Sequence, residues 1–162
     1  MFQINKLTDY AVHVLSALRD ANDTCQSATL ISQATSVPVT TVSKCLKLLA
    51  LASLVESTRG PKGGYRLSQP LSQVSLLNVM EAIEGKMAVT QCVQDDGCCD
   101  KESHCGFRSN WQQVNQRMSD VLATTSVADM ISPVPRHSVS LSSLITSRQT
   151  TLPQQEQGYE SF

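Results

Sequence analysis

Fourteen residues in the second half of the chain limit what the rest of it can be. From Cys92 to Cys105 the sequence reads Cys-Val-Gln-Asp-Asp-Gly-Cys-Cys-Asp-Lys-Glu-Ser-His-Cys, and four of the six cysteines of the protein fall inside it. The run carries almost no large apolar side chain, so burial cannot hold it in place. Disulfides or a metal centre are the remaining means. No apolar run approaches the roughly 18 residues of a membrane span. The start, Met-Phe-Gln-Ile-Asn-Lys, has neither a signal-peptide core nor a small-residue cleavage site. The expected location is the cytoplasm, where thiols stay reduced and clustered cysteines serve metals more often than disulfides.

The spacing narrows the chemistry. A structural zinc ribbon shows two C-x2-C pairs, whereas this run is C-x5-CC-x5-C. Three thiolates from one acidic loop leave a fourth position to another ligand or another chain. An iron–sulfur cluster that the protein cages incompletely suits sensing, because exposed iron can react or be lost. Spacing favours iron–sulfur, with zinc and a thiol–disulfide switch as the open alternatives.

Upstream, Leu7, Ala11, Val14 and Leu18 recur at i, i+4, i+7 and i+11 beside Leu15, the apolar stripe of a helix capped by Thr8 or Asp9 and running to about Asp20. Asp9 and His13 share another face of it. Ser27 begins a short second helix with Leu30, Ile31 and Ala34 on its inner side. Thr35-Ser-Val-Pro38 breaks it, since proline disfavours helix in the residue before it. A third helix from about Val39 to Ala52 buries Val42, Leu46 and Leu49 and carries Thr40, Thr41, Ser43, Lys44 and Lys47 outward. Two helices joined by a tight turn are the helix-turn-helix pattern, whose second helix reads base edges with its first residues while nearby cations hold phosphates. An ordinary solvated face gives the same pattern, so this helix alone decides nothing.

The next stretch shifts the balance toward DNA, against the alternative of a loop that is simply soluble. Leu54 to Leu67 reads as strand, glycine-rich turn and strand, a β-hairpin placed where a winged helix carries its wing. Net charge is -1 overall, yet from Ser43 to Arg66 five Lys/Arg stand against the single acid Glu56. Arg59 is placed to enter a minor groove, and Lys62 and Arg66 to hold phosphates. Aromatic residues make up only 4% of the chain, which argues against a base-stacking sheet.

Leu76, Leu77, Met80 and Ile83 give a further helix ending at Gly85. Beyond the cysteines, Trp111, Val114, Met118, Val121 and Leu122 form a narrow apolar seam on a polar helix, suited to pairing with its own copy. From Ser132 to Phe162, 17 of 31 residues are Ser, Thr, Gln or Pro, the composition of a disordered tail. The expected fold is mainly α with a small β-hairpin. It comprises a winged helix-turn-helix over 1–85, a cluster-binding loop over 86–107, a dimerisation helix over 108–131 and the tail over 132–162.

Leu7-Thr-Asp-Tyr-Ala11, the wing from Leu54 to Leu67, Cys92, Cys99 and Cys105, Trp111 and Val127-Ala-Asp-Met130 together resemble the bacterial winged-helix iron–sulfur and nitric-oxide regulators, the family of IscR and NsrR. The resemblance covers about residues 1–131 and leaves the tail uncovered. The surroundings of the cysteines look most like the regulators of SUF cluster-assembly operons. The resemblance implies a homodimeric repressor on double-stranded DNA whose Cys92, Cys99 and Cys105 bind a cluster, 2Fe-2S ahead of 4Fe-4S. Cys99 rather than Cys98 matches the middle cysteine of the family. IscR-like members place a histidine ligand where this chain has Arg108, which cannot ligate iron, and His104 does not match. NsrR-like members use an aspartate of the first helix, matched by Asp9, and His13 matches a ligand of a further redox-sensing member. Cys25 and Cys45 lie outside the pattern and receive no role. The expected function is a transcriptional repressor of iron–sulfur assembly genes and not an enzyme. The alternatives are a nitric-oxide or redox sensor of the same fold, or a thiol or zinc regulator without a cluster.

Overall fold

A computed structural model describes residues 4–21, 24–60, 63–90, 93 and 106–132. The described residues are mainly helical with one two-stranded antiparallel hairpin, as expected. Helix α1 (Lys6–Asp20) buries Ala11, Val14, Leu15 and Leu18, the stripe legible in its sequence. Its cap, however, is Asn5, whose side chain accepts the Leu7 N–H at 3.0 Å, and not Thr8 or Asp9. Thr8 is turned inward, 1% exposed, with its hydroxyl donating to Glu84 Oε1. The same oxygen accepts the Asn5 N–H at 3.2 Å, so the far end of a later helix fixes the start of α1.

Helix α2 (Ala28–Thr35) is capped by Ser27, which accepts the Leu30 N–H at 3.3 Å. Its inner side is only partly the one expected. Ile31 is buried and Ala28, Ser32 and Thr35 are half-buried, while Leu30 and Ala34 are exposed. The inward stripe runs 28, 31, 32, 35, and its hydroxyls satisfy local backbone. Ser32 donates to Val37 O at 2.6 Å and Thr35 to Ile31 O at 2.7 Å. The turn passes through Ser36 in the left-handed region (φ 58°) and plants Val37 in the core. Helix α3 (Val39–Leu51) then buries Val42, Cys45, Leu46 and Leu49 against α1.

Strands β1 (Val55–Thr58) and β2 (Gly64–Leu67) pair with Val55 opposite Leu67 and Thr58 opposite Gly64. The hairpin is tied to the segment before α2 by two 2.9 Å bonds between Gln26 and Tyr65. That close approach explains Gly64: a Cβ there would sit 2.6 Å from the Gln26 carbonyl oxygen.

After a 3-10 turn at Leu71–Gln73, α4 (Leu76–Glu84) ends at Gly85 (φ 89°). The stretch expected as one helix over 108–131 is two, α5 (Arg108–Thr124) and α6 (Val127–Ile131). Thr125 is extended and Ser126 restarts the helix through a capping box with Asp129, both backbone bonds being 3.1 Å. The break returns the chain to the body of the protein. Leu76 N–H donates to Thr125 O and Val127 N–H to Val74 O, each at 2.8 Å, and Val127 is fully buried in the common core. No helix among the described residues is long and apolar enough to cross a membrane.

Candidate nucleic-acid interface and sensing residues

The outward side of α3 begins without a side-chain cap and without an acidic residue in its first turn. The positive end of the helix therefore faces outward uncompensated by any local anion. Thr40, Ser43, Lys44 and Lys47 are exposed, and Thr41 is half-buried. Ser43 turns its hydroxyl back onto Val39 O at 2.8 Å, a bond it would exchange to contact a base. The helix and the hairpin meet in an open groove of about 400 Å³ lined by Ser43, Lys47, Ala50, Leu51, Ser57 and Tyr65. Leu51, 75% exposed, stands at its edge. The groove places two of the expected contact residues of α3 directly beside the wing.

On the wing, Arg59 is exposed at the end of β1. Arg66 is not the simple phosphate contact expected. Paired across from Glu56 in the sheet register, it donates to that carboxylate through Nε at 2.9 Å and Nη2 at 2.6 Å. Both side chains are about half exposed, so the pair is worth little and is exchangeable for a phosphate. Lys62 lies outside the described residues. Gly63 shapes the tip: a Cβ there would come 2.2 Å from Thr58 O.

Of the sensing residues, Cys92, Cys98, Cys99, His104 and Cys105 lie outside the described residues, as does the tail from 133 on. Asp9 is described and exposed, with its carboxylate 4.0 Å from His13 Nε2, also exposed. It edges an open groove of about 370 Å³ with Ile4, Lys6, Thr8, Val12, Leu76 and Met130. The donor set, three thiols with an accessible carboxylate, fits an iron–sulfur centre; thiolates are its usual ligands, and a carboxylate is a weaker, more exchangeable fourth. Cys45, by contrast, is fully buried. Burial pushes its thiol above the usual range, against a smaller opposing influence from Lys44, which keeps it protonated and unreactive.

Helix α5 shows what the sequence left unread. None of its residues is buried. Arg108, Asn115, Met118, Ser119 and Leu122 form a half-buried stripe toward α4, while Trp111, Val114 and Val121 are 42%, 41% and 64% exposed. Of the apolar seam expected for pairing, Met118 and Leu122 are half-buried and the other three exposed, and Met118, Val121 and Leu122 together line one open groove of about 350 Å³. Asn115, which reads in the sequence as one polar residue among several, binds backbone. It accepts the Val89 N–H at 3.0 Å and donates to Met87 O at 3.3 Å. No spacing rule signals such a contact, because its partners are main-chain atoms.

Residues 4–133 match a family model, Rrf2, described as iron-dependent transcriptional regulator. The chain is 27% identical over 131 residues to the HTH-type transcriptional regulator IscR of Vibrio vulnificus, covering 78% of this chain and 77% of that one. It is 27% identical over 135 residues to protein aau3 of Rhizobium meliloti, covering 83% and 88%. Among solved structures, it resembles T. potens IscR with a TM-score of 0.57 at 17% identity over 93% of each chain. It resembles CymR, the global cysteine regulator of B. subtilis, with a TM-score of 0.59 at 19% identity over 80% of this chain and 96% of that one. At those identities the structural likeness is one of fold.

Proposed function

The chain belongs to the Rrf2 family of iron-dependent transcriptional regulators, and from that premise we propose that it is a cytoplasmic, homodimeric repressor that senses iron–sulfur cluster status and controls SUF-type cluster-assembly genes. As a member of that family it is a DNA-binding transcriptional regulator and not an enzyme. The observation that carries the DNA reading is the groove shared by α3 and the hairpin, with Ser43 and Lys47 beside Ser57. On this reading Thr40, Thr41 and Ser43 meet base edges, and Lys44, Lys47, Arg59, Lys62 and Arg66 hold the backbone.

Dimerisation is supported by the three exposed apolar residues of α5, too many in one line for a helix with no partner. Two-fold pairing would give the two reading heads one spacing on DNA. Cys92, Cys99 and Cys105 would hold the cluster, with Asp9 of the partner subunit as fourth ligand. When bound, the cluster supplies a centre that responds to iron supply and oxidants. The contribution of the chain is to hold it in the acidic run from Cys92 to Cys105 and to couple that run to α5. Its occupancy shifts DNA affinity only by as much as it stabilises the competent arrangement over the other. Exposed Asp9 supports a second reading, a nitric-oxide or redox-sensing repressor of the same fold, which differs in the genes bound.

Anaerobic purification with a visible spectrum and iron and sulfide assays tests the sensor. A brown protein with equal iron and sulfide, lost in Cys99→Ala, is expected. A colourless protein that iron and sulfide fail to reconstitute sinks the cluster and leaves zinc or thiol chemistry. The DNA face is tested by titrating a bound genomic fragment with Lys44→Ala and Arg59→Ala. Each should weaken binding and lower the salt slope by about 1. An unchanged slope in both would remove the assigned face.

A further inference from the structure

Asn115 sits at the middle of α5, and its two hydrogen bonds reach Met87 and Val89, a few residues before Cys92. One turn on, the Ser119 hydroxyl contacts Met87 Sδ at 3.8 Å, so two successive turns of one face grip the same segment. A carboxamide offers both an acceptor and a donor, and here both are used on backbone, in a half-buried position where an unmade bond is costly. The gripped segment follows α4 directly, and α4 ends at Glu84, whose carboxylate holds the start of α1. At its other end α5 is fixed to the core through Thr125 and Val127. A displacement of residues 87–89 therefore meets α5 first, and α5 is joined to the reading head.

We propose that Asn115 is a positioning residue that couples the cysteine run to α5 and so to DNA affinity. The inference rests on the cluster-sensing reading above. It requires that Asn115 neither ligate the cluster nor touch DNA, and that its loss uncouple the two. Cluster content and DNA binding each survive in the variant, but the difference in DNA affinity between loaded and unloaded protein collapses.

The test uses the full chain, reconstituted anaerobically with ferrous iron and sulfide or left metal-free, and titrated with a genomic duplex selected by the wild type. Wild type is expected to show about tenfold between the two states, within the usual range of allosteric coupling. Asn115→Ala should show less than about twofold, with wild-type iron and sulfide content and a two-state melt. Asn115→Asp keeps the acceptor for Val89 and loses the donor to Met87, so it should fall between, at about threefold, and it serves if the alanine variant folds poorly. Hydrogen exchange at Val89 should speed up in Asn115→Ala and stay near wild type in Asn115→Asp, which keeps the acceptor for that N–H. If wild type switches and both variants switch equally, the proposal is overturned and the sensing reading stands. If wild type takes up no iron, both fall.

Discussion

Helix α3 buries Val42, Cys45, Leu46 and Leu49 within thirteen residues, whereas α5, seventeen residues long, buries none. The reading head is thus complete within one chain. Its helices share a core with Val55 of the hairpin and Val127 of α6, and Gln26 and Tyr65 fasten the wing to it. Helix α5 meets the rest of the described residues through a half-buried face toward α4, through Asn115 and Ser119 on the segment at Met87–Val89, and through Thr125 just past its end. A part that must hold one shape on DNA is packed. On the proposed function α5 is the part that changes shape with a ligand or a partner, and it is left short of buried contacts, because a densely packed interior does not yield to small forces.

The largest effect should come from Leu46→Ala. Leu46 is fully buried, and truncation there costs about 2–5 kcal/mol. Denaturant unfolding of the metal-free protein measures it. The contrasting variant, Cys92→Ser with Cys99→Ser, should leave metal-free stability within about 0.5 kcal/mol. A loss from the serine variant as large as from Leu46→Ala would mean that the two regions are not built differently.

Next comes Gly63→Ala. A Cβ would approach Thr58 O, Arg59 C and Gly60 O at 2.2, 2.8 and 2.9 Å, all backbone atoms that cannot swing aside. The tip must reopen at a cost of about 1–3 kcal/mol. DNA affinity should fall about tenfold or more through misplaced Arg59. Wild-type affinity in Gly63→Ala would show that the wing tip does not touch the duplex.

Val121→Asp should act on the other side of the comparison. Val121 is 64% exposed, so a carboxylate there disturbs little in one chain, but it would place like charges across the proposed two-fold seam. The dissociation constant of the dimer, from sedimentation, should rise about tenfold or more, with helix content unchanged. Unchanged association would move the dimer contact off α5.

These contrasts also explain what the sequence discloses. The stripe of α1, the Ser27 cap, the α3 core positions and the hairpin were legible because each is a local pattern fixed by helix or strand period. Leu30 and Ala34 misled because α2 is short and its inward stripe is half hydroxyl, Ser32 and Thr35, which no hydrophobic count weighs. Asn5 displaced Thr8 as cap because Thr8 serves Glu84, a partner 76 residues away. Arg66 read as free charge because its cross-strand partner emerges only with the register. Asn115 stayed hidden for the same reason: its partners are main-chain atoms 26 and 28 positions earlier.

The smallest effect lies where the halves join. The Ser126 hydroxyl and N–H both hold the Asp129 carboxylate, which lowers its pKa below the usual range, mainly through the side-chain bond. A carboxylate whose folded pKa is depressed adds stability above its unfolded value, near pH 4, and loses it as pH falls through the folded value. Asp129 is fully exposed, so the contribution is slight. Asp129→Asn should therefore lower the denaturant midpoint slightly at pH 7, and the gap to wild type should close below about pH 4. A gap that stayed constant on acidification would assign the capping box to shape alone. The joint between α5 and the core would then rest on buried Val127 and on the two backbone bonds from Leu76 N–H to Thr125 O and from Val127 N–H to Val74 O.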